Sequence, residues 1–122
     1  MNIIIESLAN ECKINIFNYN SKYSLNAAIQ TDIELNQKIY IELNQKIYIL
    51  KTFPYIGRLI PEMSNSRFRE IIYKKSRHSG YRIMYFVSDY DNSIHVFNII
   101  NSKQNFNKIL KLHNYFNNYF NF

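Results

Sequence analysis

The sequence predicts an α+β fold in which helices pack against an antiparallel sheet. Three observations carry that expectation. A short β-branched run opens the chain, two stretches with apolar residues four apart follow, and three later β-rich runs are separated by polar turns.

The first strand is Ile3-Ile4-Ile5, ended by Glu6-Ser7. Ser7 is placed to cap a helix by accepting a bond from an early backbone N–H. Leu8, Cys12 and Ile16 then recur at spacing four with Phe17 beside them, an apolar stripe on which Cys12 packs as a small hydrophobe. Asn18-Tyr19-Asn20-Ser21 stops this helix. Ser24 caps the next, which runs to about Thr52 and closes at Phe53-Pro54, because proline disfavours the helical conformation in the residue before it. Residues 55–62 read as a loop punctuated by Gly57 and Pro61. Residues 68–73, 81–87 and 94–100 are strand-like, with polar turns at 74–80 and 88–93, so a three-stranded antiparallel meander is expected. In the tail, Ile109, Leu110, Leu112 and Tyr115 suit a short helix over about residues 107–122, fraying at its end. A chain of 122 residues makes one domain, 1–122.

Within the second helix, residues 33–40 (Ile-Glu-Leu-Asn-Gln-Lys-Ile-Tyr) are repeated without change as 41–48. One extra copy lengthens a helix by roughly 12 Å and turns everything beyond it by about 80°. The two copies therefore cannot present the same face. Leu35, Ile39, Leu43, Ile47 and Leu50 still share one side, while Ile41, Tyr48 and Ile49 point elsewhere. Two copies of eight residues are too short for a solenoid. A local duplication, absorbed by a helix growing outward, accounts for the pattern. A coiled-coil seam is the other reading, though the stretch is short of three heptads.

Composition excludes several chemistries. Gly57 and Gly80 are the only glycines, so a phosphate loop or dinucleotide fingerprint is absent. Cys12 is the only cysteine, and His95 and His113 lack nearby ligand partners in sequence, so neither a metal nor a cofactor is expected. No apolar run spans a bilayer and no basic segment precedes residues 3–5, which makes the cytoplasm the expected compartment and leaves membranes out as partners.

The formal charge is +6, and residues 58–82 hold seven cations (Arg58, Arg67, Arg69, Lys74, Lys75, Arg77, Arg82) against Glu62 and Glu70. That net +5 favours an acidic partner, nucleic acid or protein, or simply a solvated face. The expectation is that a small sheet gathers these cations into a single anion-attracting surface beside the helices.

Several motifs together point further: Phe53-Pro54-Tyr55-Ile56-Gly57-Arg58, Ile60-Pro61-Glu62, Phe68-Arg69-Glu70-Ile71-Ile72-Tyr73, Tyr81-Arg82-Ile83-Met84-Tyr85 and Asn101-Ser102-Lys103-Gln104-Asn105. In this combination, over residues 2–106, the chain resembles the RelE/ParE superfamily of toxins from type II toxin–antitoxin pairs, with a ParE-like signature after the second helix. The resemblance implies a helical hairpin against a small antiparallel sheet, and a cognate antitoxin as partner. Between Ala28 and Phe53 lie 24 residues, one repeat longer than the family's usual spacing.

Two activities are implied. RelE-like members cut ribosome-bound mRNA, using basic side chains to hold phosphate and developing charge; ParE-like members poison DNA gyrase. Arg82 matches the arginine that the RelE pattern places at the scissile phosphate. Lys75, and beside it Lys74 and Arg77, match its basic positions, and His78 in the same turn has the chemistry of a general acid or base. The next expected arginine is replaced by Gln104, and the expected tyrosine by Ile109 and Leu110, which tilts the target toward gyrase. Arg58, Arg67, Arg69, Lys74 and Lys103 are candidates for contacting target or antitoxin. Each has a plainer reading beside it. Arg82 can pair with Glu70 on the neighbouring strand, Arg58 can bond carbonyls of its own loop, and His78 can be a solvated turn residue. A fold member that only binds an antitoxin, without toxicity, is the third reading.

Overall fold

A computed structural model describes residues 1–18, 28–63, 67–75 and 80–102, without the side chains of 16–18 and 28–36. The elements run β1 (Asn2–Ile5), α1 (Ser7–Asn18), α2 (Ala28–Tyr48) with a closing 3-10 turn (Ile49–Lys51), β2 (Arg58–Leu59), β3 (Phe68–Lys74), β4 (Gly80–Ser88) and β5 (Ser93–Asn101). The architecture is α+β. The expected Ser24 cap, the stop at 19–21 and the tail at 103–122 lie outside the described residues.

The sheet corrects the sequence reading in two places. It has five strands in the order β1-β5-β4-β3-β2, where an N-terminal edge or central strand and a three-stranded meander were expected. β1 lies parallel to β5, pairing Asn2 with Ser93 through Ile5 with Val96. At the other edge the loop after α2 contains a two-residue strand, because Arg58 and Leu59 pair with Glu70 and Arg69, and the Ile60 amide donates to the Phe68 carbonyl 3.0 Å away. Its Gly and Pro punctuation hid a backbone that is straight for only these two residues. β3, β4 and β5 form the antiparallel core, with one register shift at Met84/Tyr85. In the β4–β5 turn Asn92 takes φ 53°, a left-handed conformation that asparagine tolerates.

α1 begins at Ser7 itself, and the Asn10 amide donates to the Glu6 carbonyl at 2.9 Å, so Glu6 occupies the cap position expected of Ser7. The helices cover one face of the sheet. Ala9, Ile39, Leu43, Ile47 and Leu50 pack there on Ile71, Ile83, Tyr85, Ile94, Val96 and Ile99. The opposite face carries a second apolar cluster of Ile60, Met63, Phe68, Met84, Phe86, Phe97 and Ile100, with Phe68 edge-on to both Phe86 and Phe97.

α2 follows its periodicity. Ile39, Leu43, Ile47 and Leu50 are buried, while Ile41, Tyr48 and Ile49 are exposed. Lys13 of α1 lies level with Tyr40 of α2, its Nζ 5.3 Å from the ring centroid. α1 ends five residues after Lys13, whereas α2 begins twelve residues before Tyr40. α2 therefore outreaches its partner by about seven residues, roughly 10 Å, close to one copy of the repeat.

Gly57 sits where a chain crosses Tyr85. Its amide donates to the Tyr85 hydroxyl at 2.9 Å, and a Cβ there would come 2.6 Å from both that hydroxyl and the Glu70 carbonyl. No side chain fits this approach without displacing backbone.

Because the copies are identical, deleting residues 41–48 moves Leu35 and Ile39 into the places of Leu43 and Ile47, while Thr31 replaces Ile39 at its buried site. We expect the deletion to unfold cooperatively, with a loss of about 2 kcal/mol from that one polar, smaller core residue. Urea denaturation checks it, and loss of a single cooperative transition would show that the duplication is integral to the core.

Candidate functional site

Cross-strand pairing places Glu70 of β3 and Arg82 of β4 on the face away from the helices, since Glu70 pairs with Met84 and Ile72 with Arg82. Arg58 pairs with Glu70 across the β2–β3 ladder and joins the same face. Glu62, in the turn after β2, reaches over them. The Arg82 guanidinium donates to Glu70 through Nε (2.5 Å) and Nη2 (3.1 Å), and to Glu62 through Nη1 (2.5 Å) and Nη2 (2.7 Å). Arg58 donates to the same Glu70 oxygen from Nε at 2.9 Å and Nη2 at 2.8 Å. The Glu70 side chain is fully buried, and that of Arg82 is 10% exposed.

Two bidentate contacts of this kind match the planar fork of arginine to two carboxylates. Hydrogen bonding to Glu62, against the opposing effect of burial, raises the Arg82 pKa further above its already high value. The hydrogen bond from Arg82 holds the Glu62 carboxyl below the usual glutamate range, burial again opposing. Two cations face two anions, so this part of the sheet is close to neutral.

The remaining predicted cations do not join it. Arg69 points to the helix-covered side, donating Nη1 to the Gly57 carbonyl at 2.8 Å with its guanidinium 5.3 Å over the Tyr55 ring. It is therefore Arg69, not Arg58, that bonds a carbonyl of this loop. Arg67 is exposed just before β3, and Lys74 and Lys75 are exposed at its far end. Arg77, His78 and Lys103 lie outside the described residues. Among the described residues, the expected single cationic surface is not assembled. Its central members are consumed by carboxylates and the others are spread over two faces and both ends of β3.

The loop bearing the Phe53–Arg58 motif instead presents apolar surface. Phe53, Tyr55, Ile56 and Leu59 are each about half exposed. Such a cluster marks a protein contact more readily than a phosphate site.

Two polar groupings escaped the sequence reading. His95, expected to lack partners, has Nδ1 2.8 Å from Glu6 Oε1 and Nε2 3.0 Å from Asp91 Oδ2, with its ring stacked on Phe86 at 4.8 Å. It clasps the β1–α1 junction to the β4–β5 turn. The 89 residues separating it from Glu6 left no local signal. Among the described residues no cluster of His, Cys, Asp and Glu is arranged to hold a metal. Tyr73 donates its hydroxyl to Glu42 of α2, and burial followed by that carboxylate pushes the phenol up to about 12. No described helix is long and apolar enough to cross a membrane.

Searched against protein-family models and against curated proteins, the chain matches neither.

A carboxyl lowered on folding contributes stability that is complete above its unfolded value, near 4.3, and is lost as pH falls through the folded value. Stability of the wild-type protein should therefore drop below about pH 4, and Glu62→Gln should flatten that limb while lowering stability near neutrality. Urea unfolding from about pH 3 to 7 measures both effects; an unchanged acid limb in the variant would refute the assignment. Arg82→Ala should cost about 3 kcal/mol at neutral pH, because Glu70 is left buried with Arg58 alone.

Proposed function

We propose that the chain is the toxin of a type II toxin–antitoxin pair, a growth inhibitor neutralised by a cognate antitoxin, acting in the cytoplasm with DNA gyrase as target. A helical hairpin on one face of a small, mainly antiparallel sheet is the arrangement that the RelE/ParE resemblance implies. The observation that carries the choice of target is the engagement of Arg82. An arginine that stabilises a scissile phosphate must have N–H groups to offer it, and this one spends four hydrogen bonds on Glu62 and Glu70. The exposed Phe53, Tyr55, Ile56 and Leu59 also favour a protein target.

Lys74 and Lys75, exposed at the end of β3, favour the second reading, a ribosome-dependent mRNA endonuclease. A non-toxic member that only binds an antitoxin is the third. Induced expression in bacteria separates them, with DNA breakage, supercoiling and cleavage of ribosome-bound mRNA followed in parallel. The proposal expects growth arrest with gyrase-dependent DNA breaks and intact mRNA. Cleavage of mRNA in the ribosomal A site without DNA damage would replace it with the endonuclease reading, and unimpaired growth would replace it with the third.

A further inference from the structure

The outer edge of β3 is covered for only part of its length. β2 pairs with Glu70 and Arg69, and the Ile60 amide donates to the Phe68 carbonyl. Successive residues of a strand turn their main-chain groups to opposite sides, so Phe68 and Glu70 face β2 while Arg69, Ile71 and Tyr73 face β4. Ile72 and Lys74 continue the outward set past the end of β2. No described main-chain group pairs with their N–H and C=O on that side. Donors and acceptors therefore alternate along an open sheet edge, which is a template for another chain.

A groove runs beside this edge, between β3 and α2. Ile49, 42% exposed, and the half-buried Ile72 supply its apolar strip. Lys46 and Lys74 line it, and exposed Lys75 follows in the chain. None of these lysines forms an ion pair with a described carboxylate. Glu42, the acidic residue of the lining, is engaged by the Tyr73 hydroxyl.

We propose that the edge at Ile72 and Lys74 takes one more strand, an extended segment of a partner protein carrying acidic and apolar side chains. A polypeptide backbone matches the alternation of donors and acceptors, whereas the phosphates of a nucleic acid only accept. Charge disfavours the nearer occupants. Residues 103–122 of this chain hold three lysines and no acidic residue. A second copy would set its own Lys46, Lys74 and Lys75 against these. The inference needs a protein partner but no toxicity, so it is independent of the choice of target.

The test uses the full 15N-labelled chain and the synthetic peptide acetyl-Val-Asp-Val-Glu-Val-Asp-Val-amide. The Ile72 and Lys74 amides should shift saturably and, once bound, exchange with water about tenfold more slowly. Replacing the acidic residues of the peptide by lysine should weaken binding about fivefold, and Lys74→Glu should weaken the acidic peptide while improving the lysine one. Methylating every backbone nitrogen of the peptide should abolish binding. No saturable shift at Ile72 and Lys74, binding that survives methylation, or an acidic peptide undiminished by Lys74→Glu would overturn the proposal. Edge amides protected in the free protein in step with its concentration would assign the edge to a second copy instead. A stronger saturable shift there with single-stranded RNA would assign it to nucleic acid, and either result also overturns the proposal.

Discussion

The guanidinium of Arg82, held between Glu70 and Glu62, is the constraint around which the helix-free side of the sheet is organised. Glu70 is a fully buried carboxylate on a central strand, and an isolated charge there would be prohibitive. Two arginines answer it, Arg82 from β4 and Arg58 from the edge strand, and Glu62 balances the surplus. The same bonds tie the turn after β2 onto β4. That brings Ile60 and Met63 over Phe68, Met84 and Phe86, so the ion network and the second apolar cluster support each other. Removing one partner is costly because the others remain buried, even though such a network adds little over a well-packed apolar equivalent.

This organisation changes what the basic stretch means. Net charge counted along residues 58–82 suggests a surface that draws anions, but the fold pairs two of its arginines with carboxylates and turns Arg69 toward the Gly57 carbonyl. What stays exposed on the Phe53–Arg58 loop is mainly apolar. Recognition through this loop would rest on buried hydrocarbon and aromatic area, with Arg58, partly exposed, at its margin.

Much of the architecture was legible because it depends on local pattern. β-branched runs marked β1 and the three long strands, and four-residue spacing marked the α2 face that buries Ile39, Leu43, Ile47 and Leu50. The repeat could be absorbed because the buried stripe of a helix returns every three or four residues, so the second copy supplies Leu43 and Ile47 where they are needed. Pairings between distant segments were not legible. β2 is too short to show alternation, the parallel seating of β1 on β5 joins the two ends of the described chain, and Glu62 and Asp91 sit in turns where an acidic residue has no periodic meaning. At the site, the Arg82–Glu70 pair could be read from neighbouring strands. Its second carboxylate and the His95 clasp required the fold.

The account stands or falls on whether the Arg82 guanidinium is sequestered, and proton exchange at Arg82 Nε measures that directly. In 15N-arginine-labelled protein, the Arg82 Nε–H resonance should exchange with water far more slowly than that of free arginine at the same pH, and should stay in place when an RNA oligonucleotide is added. Fast exchange at Arg82, with a saturable shift on RNA addition, would contradict the central claim and return this arginine to the role of a phosphate-binding group.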